Sequence, residues 1–219
     1  MPSGNEKDAA IADSSFRPHR SDNSSRVIPK SVFNGRNVWP ALAIFLIFIA
    51  TALQLHHQGR SWWCFCGRGF LWVSDAWGSQ TSQAFLDPYS FTHVLHGIIF
   101  AGLLTVVIRG MPPSWRLCLA IGIESVWEIL ENTNSVIDRY REATAALGYH
   151  GDTVVNSLGD IACCGIGFLV ARKIGFRWSL ILFLATEAIL LVWIKDSLLL
   201  EVIMLIFPLD VIKAWQIAH

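Results

Sequence analysis

Charge is what this sequence has little of. Asp, Glu, Lys and Arg make up 16% of the 219 residues, below the roughly 25% of a soluble domain. The 17 basic and 17 acidic residues cancel to a formal net charge of zero. A neutral chain sets up no long-range field to gather nucleic acid, so nucleic acid is excluded as a partner. The short motifs of common chemistries are missing too: no His-Glu-x-x-His, no Gly-rich phosphate loop and no nucleophilic-serine motif is present. Five cysteines are scattered without zinc-site spacing. Cys118, Cys163 and Cys164 lie in apolar runs, and Cys64 and Cys66 flank one aromatic. No inverted repeat is visible, which counts against a carrier. Residues 1–37 have few large apolar side chains and many Ser, Asn, Asp and Arg, so they cannot bury enough surface to fold alone. We read 1–37 as a disordered polar arm and 38–219 as a helical transmembrane domain.

What is present is hydrocarbon. Apolar residues make up 53% of the chain and mean hydropathy is +0.45. This predicts an all-α, polytopic membrane protein of about five transmembrane helices, with the lipid bilayer as its first partner. The spans fall at 38–55, 90–108, 115–132, 153–171 and 178–194. The stretch 197–207 is apolar but short, carries Glu201 and ends at Pro208, so its role stays open. The loop 56–89 holds Trp62, Trp63, Phe65, Phe70, Trp72 and Trp77, a density that suits the headgroup layer. Basic residues precede the first span (Arg17, Arg20, Arg26, Lys30, Arg36), follow the second (Arg109, Arg116) and follow the fourth (Arg172, Lys173, Arg177). All three sets share one side if the N-terminus is cytoplasmic in a cell inner membrane. Cys64 and Cys66 then lie on the outer face, where a disulfide would close a strained, very short loop.

Within this apolar frame the ionisable residues recur at helical spacing. Glu124, Glu128 and Glu131 stack on one face of the third span, as do Asp152, Asn156 and Asp160 on the fourth. His93 and His96 lie in the first turns of the second. On a rise of about 1.5 Å per residue, these groups come within roughly 15 Å of the outer boundary, and Glu124 reaches mid-depth. Taken singly, Asp152 is an ordinary helix cap and His93 an interfacial residue. As a set they describe one buried polar cluster, because a charge in hydrocarbon needs neighbours that satisfy it. Gly159, Cys163 and Gly167, four apart, mark a close-packing seam.

The order Asp87, His93 and His96, then ESVWEILEN, DRYR and GDTVVNSLGD resembles an uncharacterised family of bacterial, mainly alphaproteobacterial, inner-membrane proteins. The likeness covers most of the chain from about Phe33. More loosely the chain is similar to the VanZ-like group. That resemblance implies a four-helix core in the cell envelope, with Asp87, His96, Glu128, Arg139, Asp152, Asn156 and Gly159 in the group's polar positions. The extra Glu stripe and the Trp-rich loop depart from that pattern.

Three functions compete. The first is a multi-pass inner-membrane protein of the cell envelope with a polar cluster open to the outer face. The second is a metal-assisted enzyme acting on a lipid or lipid-linked substrate, with Glu128, Glu131, His96 and Asp160 as catalytic candidates. In it His93, His96 and Glu128 would hold the metal, zinc or manganese by their mixed ligand type, and Arg139, Arg141, Asp152 and Asn156 would bind substrate. The third is a proton- or cation-coupled transporter, which Glu124 at mid-depth favours. A register-fixing polar network is the structural counterpart of all three. The sequence names no cofactor, substrate or oligomeric state.

Overall fold

A computed structural model of the chain describes residues 38–146 and 148–218. Among these residues there are seven helices, and pairing between extended segments is limited to one bridge, Trp72 with Leu86. The polar arm 1–37 lies outside the described residues. The helices are α1 (Val38–His57), α2 (Ser90–Val107), α3 (Pro113–Glu131), α4 (Asn134–Ala143), α5 (Val154–Trp193), α6 (Leu198–Ile206) and α7 (Asp210–Ile217). By length and composition α1, α2 and α5 can each cross a membrane. Trp39, Phe45, Leu46, Val106, Val107, Ile166, Leu184 and Val192 stay exposed along them, an apolar belt far larger than a water-soluble monomer carries. The chain is an all-α membrane protein.

The fourth and fifth predicted spans are the two arms of α5. The helix is interrupted at Gly175, whose φ of +78° and ψ of 171° are non-helical and cost a residue without a Cβ little. The second arm doubles back: Leu182 and Phe183 pack against the apolar core that Leu95, Ile98, Ala101 and Leu104 of α2 help to form, and Trp193 reaches Phe91 at the start of α2, with ring centroids 6.3 Å apart. Ser179 Oγ donates to the Gly175 carbonyl at 2.9 Å, satisfying a group that the bend leaves open. α3 has the length of a span, roughly 28 Å on the rise per residue, but its four charges (Arg116, Glu124, Glu128, Glu131) keep it from reading as one by composition. Pro113 opens it at a position where the missing N–H is harmless.

The seam forms as its spacing predicts, and from both sides. A Cβ on Gly167 would collide with the Val94 carbonyl, one on Gly159 with that of Phe85, and one on Gly97 of α2 with that of Cys164. Backbone therefore touches backbone, and α2 with α5 is the most extensive contact among the described helices. Leu95, Ile98, Ala101, Leu104, Ala120, Phe168 and Ala171 close the apolar core at the end where Arg109, Arg116, Arg172, Lys173 and Arg177 gather. We call this the basic end.

At the opposite end the loop between α1 and α2 folds back over the bundle. It supplies the carbonyls that the first turn of α5 lacks: Thr153 N–H donates to Ser82 O, Val154 N–H to Ser61 O and Val155 N–H to Trp62 O, at 3.0, 2.9 and 3.3 Å. The Thr153 hydroxyl takes the next, from Asn156 N–H. Cys64 and Cys66 are joined by a disulfide. Segment 134–143, expected as outer loop, is the amphipathic helix α4, which buries Ile137, Tyr140 and Ala143 at a spacing of three. α6 has nine residues, about 13 Å, too short to span, and it stands beside the polar cluster as a wall.

Candidate functional site

Between the loop, α2, α3, the first arm of α5 and α6 lies a cavity of about 1040 Å³. Phe65 at its rim is 88% exposed, so the cavity reaches the surface. Its wall carries His93 and His96 from α2, Glu131 from α3, Asp152, Asn156 and Asp160 around the start of α5, Asp87 from the loop, and Asp196 and Glu201 from the α5–α6 region. Among the described residues Arg60 is the one Arg or Lys that lines it.

The polar groups are set in tiers. At the bottom Glu124, fully buried, receives both imidazoles: His93 Nδ1 at 2.5 Å, and His96 Nδ1 at 2.9 and 3.1 Å from its two oxygens. One turn higher, Glu128 Oε1 lies 3.4 Å from His93 Nδ1. On the other face of that ring, His93 Nε2 is 3.9 Å from Asp160 Oδ2, and Ser90 Oγ donates to Asp160 Oδ1 at 2.7 Å. Higher still, Asn132 braces Asp152 twice: Asn132 Nδ2 donates to Asp152 Oδ2 at 2.8 Å, and Asp152 N–H donates to Asn132 Oδ1 at 2.7 Å. The Tyr149 hydroxyl lies 3.1 Å from both Asp152 oxygens. Glu131 takes a hydrogen bond from the Tyr140 hydroxyl of α4.

Glu128 is the exception. It is 1% exposed, and neither carboxylate oxygen has a hydrogen-bond partner. A buried carboxylate with no hydrogen bond, and only His93 Nδ1 near it at 3.4 Å, costs several kcal/mol, so this group calls for a proton or a cation. Asn156 Nδ2 and Arg60 Nε are also buried without partners, and both residues line the cavity.

Beyond the spans, burial sets the ionisation of the flanking groups. It raises the carboxyl of Asp152 against the pull of Asn132, Ser82 and Tyr149, and that of Asp87 against the Ser82 and Tyr89 amides. Burial also pushes Asp196 up to about 7, partly offset by the Ser197 amide and the Tyr89 hydroxyl. The phenols of Tyr140 and Tyr149, buried beside these carboxylates, are raised well above their ordinary value.

Among the described residues, three sets of side chains have ligand atoms within 4.8 Å of one another: His93, His96 and Glu124; His93, Glu128 and Asp160; Glu128, Glu131 and Asp152. The metal set expected from the sequence, His93, His96 and Glu128, is divided between the first two of these sets. His93 reaches both Glu124 and Glu128, and His96 reaches Glu124. The reason is depth: α2 and α3 run antiparallel, so the deeper histidine meets the deeper glutamate. Glu124, read from the sequence as a mid-depth relay, is the hub of both imidazoles, and the i, i+3 histidines set against the i, i+4 glutamates would have signalled it. Catalytic candidates His96, Glu131 and Asp160, together with Asp152 and Asn156, line the cavity. Arg139 and Arg141 are not among its lining residues: Arg139 Nε donates to Leu205 O at 2.9 Å, and Arg141 holds Tyr149 O and approaches His150. Arg60 takes that place, its Nη1 donating to His150 O at 2.6 Å. A lone Arg in a polar loop gives no sequence signal for such a role.

Fold and site together define a helical membrane protein with a histidine–carboxylate centre at the floor of a cavity. Its family is one of unknown function, DUF2585: that family's model matches residues 55–218, and the chain belongs to it. It is 38% identical over 192 residues to the UPF0314 protein of Paracoccus denitrificans (strain Pd 1222), an alignment covering 88% of this chain and 99% of that protein. The UPF0314 protein of Brucella anthropi is 40% identical over 176 residues, covering 80% and 89%. That of Rhizobium meliloti (strain 1021) is 41% identical over 179 residues, covering 82% and 90%. No solved structure matches the chain.

Proposed function

We propose that this chain is a multi-pass protein of the cell inner membrane, N-terminus cytoplasmic and cavity facing outward, that acts in the cell envelope as a metal-assisted enzyme on a lipid or lipid-linked substrate. The observation that carries the reading is Glu128, buried without a hydrogen bond between His93 and Asp160 on one side and Glu131 and Asp152 on the other. Its surroundings suit a divalent cation with mixed nitrogen and oxygen ligands. His93, Asp160 and Glu128 would hold it, while Glu124 lies against His93 Nδ1 and so fixes the ring. When bound, such an ion polarises an ester or phosphoryl oxygen and acidifies water. Glu131, held by Tyr140, and Asp152 form with Glu128 the neighbouring set of close ligand atoms. Asn156 Nδ2 and the Arg60 guanidinium are the donors left to orient the substrate.

The rim supports a lipid-type ligand, since Trp62, Trp63, Phe65 and Trp72 remain exposed on the loop that forms it. The VanZ-like order of polar residues supports the envelope setting. Transport is the weaker reading, because the core from Leu95 to Ala171 closes the bundle beneath Glu124 with apolar side chains.

Elemental analysis of the protein purified in lipid nanodiscs tests the reading. A stoichiometric first-row divalent metal in the wild type, absent from His93→Ala, is the expected result. A metal-free wild type that also fails to take up manganese or zinc would sink it. Reporters fused after Ala145 and Arg177 test orientation. Activity outside for the first and in the cytoplasm for the second is expected, and the reverse pattern would turn the cavity inward.

A further inference from the structure

The two ligand sets that share Glu128 point to more than one ion. We infer that Glu128 bridges a pair of divalent cations, one held with His93 and Asp160 and the other with Glu131 and Asp152. The inference rests on the metal reading above and extends it.

The first argument is the free capacity of Glu128. A carboxylate has two oxygens and about four lone-pair positions, and here both oxygens are buried and without a hydrogen bond. One set of neighbours cannot use both, yet Glu128 belongs to two sets, each with ligand atoms within 4.8 Å of one another. Separations up to about 4 Å are what two ligands on one ion show when metal–ligand bonds are near 2.1 Å, and His93 Nε2 to Asp160 Oδ2, at 3.9 Å, falls within that reach. A carboxylate bridge sets paired ions about 3.5–4 Å apart.

The second argument is that the remaining ligands are already oriented. Ser90 Oγ occupies Asp160 Oδ1, which leaves Oδ2 turned to His93. Glu124 lies 2.5 Å and Glu128 3.4 Å from His93 Nδ1, which leaves Nε2 to the Asp160 side. Asn132 and Tyr149 brace Asp152, and Tyr140 braces Glu131. Helpers of this kind accompany metal ligands and fix their geometry. The one member without a helper is the one placed in the middle.

The third argument is charge. Asp87, Glu131, Asp152, Asp160, Asp196 and Glu201 line the cavity against one Arg. One divalent ion leaves much of the Glu128, Glu131, Asp152 and Asp160 charge uncompensated; two ions match those four carboxylates. With the pair bound, the floor would also accept a phosphoryl or carboxylate group that the bare acidic wall repels.

Manganese titration of the chelator-stripped protein in nanodiscs, followed by electron paramagnetic resonance, tests this without a substrate. The expected result is uptake of about two Mn(II) per chain, with the exchange-coupled spectrum of ions a single bridge apart. Glu131→Gln and Asp160→Asn, conservative changes on opposite sides, should each leave about one ion with the spectrum of isolated Mn(II). Glu128→Gln should abolish the coupling. Melting temperature and monodispersity of each variant show whether it is folded, and the wild-type count needs no variant. One equivalent in the wild type, lost in His93→Ala, overturns the pair and leaves the metal reading standing. Two uncoupled ions, or coupling that survives Glu128→Gln, overturns the bridge. No uptake overturns both.

Discussion

The two ends of this bundle are built on opposite terms. Toward the basic end helices pack on apolar side chains around Ala101, Leu104 and Phe168, below a glycine seam that meets backbone against backbone at the depth of the two histidines. At the cavity end the same helices stand apart and hold His93, His96, Glu124, Glu128, Glu131 and Asp160 between them. In a bilayer, burying Leu against Leu gains little over burying it in lipid, so association rests on close packing and polar contacts. The glycine seam supplies the packing that lets the other end keep a space lined with carboxylates. One end holds the fold, and the other uses the opening that this permits.

Gly167→Leu should break this division most severely. Its side chain must enter where the Val94 carbonyl already stands, and backbone cannot move aside as a side-chain tip can. Loss of monodisperse protein in size-exclusion chromatography is the expected outcome, and a well-behaved variant would show that the seam is dispensable. Next comes Asn132→Ala at the cavity end. It removes the donor to Asp152 Oδ2 and the acceptor of the Asp152 amide, at about 3 kcal/mol for two hydrogen bonds with a charged residue. It should also weaken metal uptake by about 10–100-fold, as loss of a bracing partner does. A thermal melt and a manganese titration read the two effects separately.

Asp196→Asn tests how burial acts on charge at the cavity end. The folded carboxyl titrates near 7 against an ordinary 3.8, so the native state keeps its proton where the unfolded chain has lost it. The unfolded state then binds fewer protons, and stability falls as pH rises from about 4 to about 7. The Asn variant should match the wild type at about pH 5 and exceed it by up to about 2 kcal/mol at about pH 8. Equal melting temperatures at both pH values for both proteins would remove burial as the cause. Leu104→Ala, at a buried core residue near Arg109, probes the basic end, at about 2 kcal/mol. That is the low end of the usual range, because lipid replaces water as the reference and only the cavity cost remains. Its metal uptake should be unchanged, and a variant that lost the ions would show that the two ends are not separable.

Much of this fold was legible in the chain itself. Hydrocarbon runs placed five spans within a few residues of α1, α2, α3 and the two arms of α5, because the length of an apolar run is fixed by bilayer thickness. The stripe on α3 was legible for a similar reason: helical period alone puts Glu124, Glu128 and Glu131 on one face. α4 was missed because a ten-residue amphipathic pattern is weak beside a transmembrane run, and only Ile137, Tyr140 and Ala143 betray its buried face.

By itself, then, the sequence determined which segments lie in hydrocarbon and which residues share a helix face, since both depend on local composition and helical period. Only the tertiary structure decided which faces meet. The glycine seam sets the register of α2 against α5, and the antiparallel run of α2 and α3 decides that His93, not His96, stands beside Glu128. It also decided that Arg60 and not Arg139 reaches the cavity, and that Tyr140, Tyr149 and Asn132 brace its acids. These pairings join residues tens of positions apart. They are fixed by interhelical distance and rotation, to which the periodicity of any one helix is blind.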